Sequence, residues 1–136
     1  MKKYVILLLA GTLLFSACKK NDSSSYTNQL TLGTGISASN AFQLTGTGTS
    51  FSVTPGTIYW KLESADDMAG STVIIKLEKK SGGTYSVYDN LTFSNPQSYG
   101  HIMLSYFTLT STGQYKATGI LQTGNKTISF VEFTMN

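Results

Sequence analysis

Thr57-Ile58-Tyr59-Trp60-Lys61-Leu62-Glu63-Ser64 alternates without a break. Ile58, Trp60 and Leu62 fall on one face, and Tyr59, Lys61 and Glu63 on the other. A period of two is the signature of a β-strand with one buried face. Ser71-Thr72-Val73-Ile74-Ile75-Lys76-Leu77-Glu78-Lys79-Lys80 repeats the pattern, with Val73, Ile75 and Leu77 inward and Lys76, Glu78 and Lys80 outward. Two half-buried strands in succession predict an antiparallel all-β fold.

The same reading extends in both directions. Ser81-Gly82-Gly83 suits a hairpin turn, because glycine takes positive φ without a Cβ clash. Thr84 to Phe93 is then the return strand, and Asn95-Pro96 a turn. His101 to Leu109 is apolar on both alternate positions, so its phase cannot be assigned. Gln114 to Leu121 sets Tyr115, Ala117 and Leu121 on one face. Gly124-Asn125 is a turn before a last strand that changes phase: Ile128 and Phe130 share one face, then Val131, Phe133 and Met135. A β-bulge near Phe130 reconciles the two. Opening strands are expected at Gln29 to Leu32 and from Ala41 to Val53, interrupted near Gly46 to Gly48. Seven or eight short strands with regular turns indicate a sandwich or a barrel, a single domain over residues 29–136.

Ser111-Thr112-Gly113-Gln114-Tyr115-Lys116-Ala117 resembles the tyrosine corner of immunoglobulin-like domains. There a tyrosine near the start of a strand bonds back to the loop backbone, two residues before a cysteine. Ala117 stands at the cysteine position. The resemblance implies a disulfide-free Ig-like antiparallel sandwich of about seven strands. The alternative is a small lipocalin-like β-barrel: Gly56-Thr57-Ile58-Tyr59-Trp60-Lys61-Leu62 is similar to the Gly-x-Trp opening of lipocalins. Three residues rather than one separate Gly56 from Trp60, and the chain is short for eight long strands.

The N-terminus reads differently. Lys2 and Lys3 precede the apolar run Val5 to Phe15, and Ser16-Ala17 precedes Cys18, the only cysteine. Val5 to Ala17 falls short of the roughly 18 apolar residues a membrane span needs, so it reads as a cleaved signal helix over residues 1–17. Phe15-Ser16-Ala17-Cys18 resembles the lipobox of bacterial lipoproteins, with Phe15 where leucine is usual. The resemblance implies a diacylglyceryl group on the Cys18 sulfur, cleavage just before it, and anchoring in the outer membrane. Lipidation also disposes of an otherwise unpaired thiol in an exported chain. Residues 18–28, rich in Ser, Asn and charge, read as a lipidated tether; its ten residues after the cysteine reach roughly 35 Å when stretched. Cys18-Lys19-Lys20-Asn21-Asp22-Ser23 is similar to tails of Bacteroidetes lipoproteins, some of which are sent to the cell surface.

Charge narrows the partners. The chain carries ten Lys, no Arg and seven acids, a net +3. Loss of Lys2 and Lys3 brings this to +1, and from Gln29 onward six Lys balance six acids. With no basic stripe or positive field, nucleic acid is not an expected partner.

Catalytic resources are thin. His101 and Ser105, four residues apart on a strand, stand about 13 Å from each other, too far for a nucleophile–base pair. His101 therefore reads as structural. Glu63, Asp66 and Asp67 cluster in one loop without the alternating spacing of a calcium loop, and read as a solvated turn rather than a Ca²⁺ site or an acid–base pair. No metal or cofactor is expected, and no enzyme activity. Aromatic residues are plentiful: Tyr59, Tyr85, Tyr88, Tyr99, Tyr106, Trp60, Phe93 and Phe107. Exposed Tyr can stack on sugar rings or anchor a protein, and Tyr59, Tyr85 and Tyr99 are the candidate binding residues. The expectation is a non-catalytic, lipid-anchored envelope module for a protein or glycan partner. The alternative is a small periplasmic inhibitor or a carrier of an apolar ligand.

Overall fold

A computed structural model describes residues 25–136; Cys18, the expected signal segment and most of the expected tether lie outside the described residues. The strands are β1 (Gln29–Gly33), β2 (Gly35–Ile36), β3 (Leu44–Thr45), β4 (Ser50–Phe51), β5 (Thr57–Glu63), β6 (Thr72–Ser81), β7 (Thr84–Ser94), β8 (Ile102–Thr108), β9 (Gly113–Leu121) and β10 (Lys126–Met135). Seven of them have five residues or more. One sheet has the order β1-β5-β8 and the other β4-β10-β9-β6-β7, with β2 and β3 forming a separate two-stranded ribbon. Neighbours are antiparallel except β4, which runs parallel to β10.

From β5 onward the chain crosses repeatedly between sheets: β5 in the first, β6 and β7 in the second, β8 back in the first, β9 and β10 in the second. This exchange makes an Ig-like sandwich. It does not close, so the lipocalin-like barrel is not formed. The space between the sheets is filled, not hollow: Ile58, Trp60 and Leu62 of β5 face Val73, Ile75 and Leu77 of β6, with Tyr115, Ala117 and Phe133 behind them, all buried.

Large and small residues are matched across the core. A Cβ on Gly119 would stand 2.6 Å from Leu62 Cδ1, so the bulk of β5 requires the bare backbone of β9 at that point. The tyrosine corner is present: Tyr115 donates its phenol hydrogen to the Ser111 carbonyl at 3.0 Å, and its oxygen lies 2.8 Å from the Ser111 hydroxyl. Gly82 and Gly83, at φ 57° and 84°, make the β6–β7 turn, which closes on the pair Ser81 and Thr84.

The phase reading of the last strand is corrected. The bulge in β10 sits at Ile128, where the register slips between Thr127 and Ser129. Ile128 is buried, and Phe130, expected to share its face, turns out to solvent and is 60% exposed. A second bulge, at Tyr88, follows from the slip between Leu77 and Glu78 against β7. Its extra residue re-aims the strand on either side.

Tyr26 and Asn28, in the stretch expected to be a tether, contact the domain. Tyr26 stacks on His101 with centroids 4.9 Å apart, and the Asn28 side chain accepts the Ala65 N–H at 2.9 Å. His101 Nδ1 lies 3.0 Å from the Ser64 carbonyl, so the one histidine ties the start of β8 to the end of β5.

Candidate functional site

The three tyrosines named from the sequence lie on three separate surfaces. Tyr59 is half-buried on the outer face of the three-stranded sheet, directly across from Tyr106, with ring centroids 5.7 Å apart. Tyr99 sits in a 3₁₀ turn, Gln97–Tyr99, edge-on to Phe42 at 5.2 Å. Tyr85 is on the outer face of the five-stranded sheet. Lys116 Nζ lies 4.8 Å and Lys80 Nζ 5.5 Å from its ring centroid, both within cation–π range. Burial pushes the Tyr85 phenol up, and the Glu132 carboxylate beside it adds to the rise. A hollow of about 190 Å³ there is lined by Tyr85, Lys80, Gln114, Glu132 and Thr134.

Charged groups on this outer face mostly serve each other. Glu78 is only 9% exposed, and its Oε2 lies 2.9 Å from Lys116 Nζ and 3.6 Å from Lys76 Nζ. The Lys116 ammonium holds the Glu78 carboxyl below its usual range against the opposing effect of burial, and Lys76 helps. The acids of the Glu63 to Gly70 loop turn to separate partners. Glu63 pairs with Lys61 at 2.9 Å, Asp66 pairs with Lys126, and Asp67 accepts the Ala69 N–H at 2.8 Å. Among the described residues no three potential metal ligands come together.

The larger concavity is not legible in the sequence. A cleft of about 400 Å³ opens between β7 and β8, where the two sheets part at one side of the sandwich. Leu91 and Phe93 of β7, Leu77 of β6, and Phe107 and Leu109 line it, with the hydroxyls of Thr92, Ser105 and Thr108 among them. Tyr88 and Tyr106, 48% and 57% exposed, stand at its rim. Tyr88 is there because of the bulge. Tyr106 is there because β8 buries Met103 and Phe107 and so turns the even positions outward. Neither placement is visible in an alternation count: one needs the bulge, and the other needs the phase of an apolar strand.

The cleft is bounded by two sheet edges, and the edges differ. β7 pairs only with β6, and β8 only with β5. β7 carries the bulge and Asp89, whose carboxylate accepts the Asn90 N–H at 2.8 Å. β8 reads Ile-Met-Leu-Ser-Tyr-Phe-Thr, with no charge and no proline, and its register with β5 is continuous.

Compared with known proteins, the chain matches no protein-family model and no curated sequence.

Proposed function

We propose that the chain is a lipid-anchored, non-catalytic module of a bacterial cell envelope, attached through Cys18 to the outer membrane. Its Ig-like domain holds a protein partner at the cleft between β7 and β8. The observation that carries this reading is the cleft: about 400 Å³, walled by apolar side chains and rimmed by Tyr88 and Tyr106. An apolar floor with exposed aromatics at the lip is the composition of protein-binding hot spots. The lipobox-like Phe15-Ser16-Ala17-Cys18 supports the anchor, and the similarity of Cys18-Lys19-Lys20-Asn21-Asp22-Ser23 to Bacteroidetes lipoprotein tails supports the outer membrane.

A glycan is the second reading. It is favoured by the polar hollow at Tyr85, where an aromatic ring stands beside Lys80, Gln114 and Glu132. The two are separated by photo-cross-linking in living cells, with p-benzoylphenylalanine placed at Tyr106, at Tyr85 or at Ile36, which lines neither site. The expected result is a discrete protein adduct from the Tyr106 position alone. Absence of an adduct there, or equal labelling from Ile36, refutes the cleft as a protein site.

A further inference from the structure

The sandwich has four sheet edges, and three of them are protected. On β1 the outward carbonyl of Leu32 accepts the Gly48 N–H at 3.2 Å, and Thr34 N–H donates to Thr45 at 2.9 Å, so the following segment covers that edge. β4 is two residues long. β7 has its bulge and the Asp89 cap over Asn90. These are the usual devices against unwanted strand pairing: cover, shortness, bulges and charge. β8 has none of them over seven residues.

Which groups β8 leaves open follows from its register. The Leu109 N–H donates to Gly56, and His101 accepts from Ser64, so odd-numbered residues point their backbone groups at β5. In an antiparallel strand the N–H and C=O of one residue point the same way, and the direction alternates. Ile102, Leu104, Tyr106 and Thr108 therefore direct their N–H and C=O groups to the free edge. No strand pairs that edge among the described residues.

We infer that β8 is a strand-addition site: an extended segment of a partner protein pairs with it and fills the cleft against β7. This rests on the reading of the cleft as a protein site and names what enters it. An extended strand matches a whole row of backbone groups at this spacing, with main-chain bonds giving affinity and alternate side chains giving specificity. Alternate side chains of the incoming strand point inward, onto Leu91 and Phe93, and the rest lie beside Leu104 and Tyr106. The single charged residue lining the cleft is Asp89, so the favoured strand is neutral or basic, with apolar residues at every second position. Residues 19–24, Lys-Lys-Asn-Asp-Ser-Ser, have no apolar alternation and are a poor match. A second copy offering its own β8 would bring its β7 into the same cleft, which β7 of the first copy already walls.

The test uses the ¹⁵N-labelled full chain in detergent micelles and a synthetic peptide, Thr-Val-Lys-Val-Thr-Val-Lys. Its N-methylated analogue, which cannot donate backbone hydrogen bonds, is the control. The expected result is amide exchange slowed by about tenfold or more at Leu104 and Tyr106 with the peptide, and no change with the analogue. Leu104→Pro removes an edge-facing N–H, and should abolish the protection while leaving a cooperative melt. Ser105→Pro breaks the ladder to β5, and should lower the melting temperature instead. Three results overturn the inference: no protection at millimolar peptide, protection by the N-methylated analogue, or concentration-dependent protection of the chain alone. Protection by the analogue would leave the cleft as a protein site and remove only strand pairing. Strand pairing by the peptide without a Tyr106 cross-link in cells would remove the cellular reading and keep the edge chemistry.

Discussion

Tyr115 is fully buried, and its phenol is useful only because Ser111 meets it twice, through its carbonyl and its hydroxyl. Tyr115→Phe keeps the ring between its neighbours and removes both bonds to Ser111, leaving the carbonyl without the phenol and the hydroxyl with only the Lys79 ammonium, at 3.2 Å. The expected cost is about 1 kcal/mol in urea unfolding with an unchanged m-value. Glu78 gives a pH signature. Lys116 holds its folded carboxyl below the ordinary value, so the unfolded chain takes up this proton first as pH falls. The stabilisation is complete above the ordinary carboxylate range, and it is lost as pH falls through the lowered folded value. Thermal midpoints should stay level down to about pH 5 and drop below it. Glu78→Gln should cost about 1 kcal/mol at neutral pH and flatten part of that drop.

At the scale of elements, legibility tracked asymmetry. β5 and β6 were readable because one face is apolar and the other polar, and Gly82-Gly83 announced its own turn. β8 was not, because Met103 and Phe107 are buried in the core while Ile102, Leu104 and Tyr106 are apolar on the outer side. The phase shift of β10 was readable, but not the residue that makes it, since Ile128 and Phe130 are both apolar. The candidacy of the tyrosines rests on residue type, and type does not report position: Tyr59, Tyr85 and Tyr99 are on different surfaces, while Tyr88 and Tyr106 share a rim. The hairpin between β6 and β7 yields a stabilising change. Gly82 has φ 57°, and nothing lies within 4 Å of a Cβ placed there. Asparagine tolerates that conformation and restricts the unfolded chain more than glycine does. Gly82→Asn should stabilise the domain by about 0.5 kcal/mol, read as a higher urea midpoint at constant m-value.

The proposed anchor and the packed domain are separable parts of the chain. All of the chemistry proposed for anchoring rests on one sulfur atom at Cys18. All of the packing described lies C-terminal to it, in a domain with no cysteine of its own. The domain's core therefore owes nothing to a disulfide, and its stability should be indifferent to reductant. Cys18→Ala tests both halves at once. The variant should leave the membrane fraction, or accumulate as a slower-migrating precursor, because diacylglyceryl transfer has no acceptor. Its thermal midpoint, followed by the fluorescence of Trp60, the single and fully buried tryptophan, should match that of the parent chain within error. Retention in the membrane at parental mobility would refute the lipid anchor. A lowered midpoint would show instead that the N-terminal segment supports the sandwich, and would recast the contacts of Tyr26 and Asn28 as part of the core rather than the end of a tether.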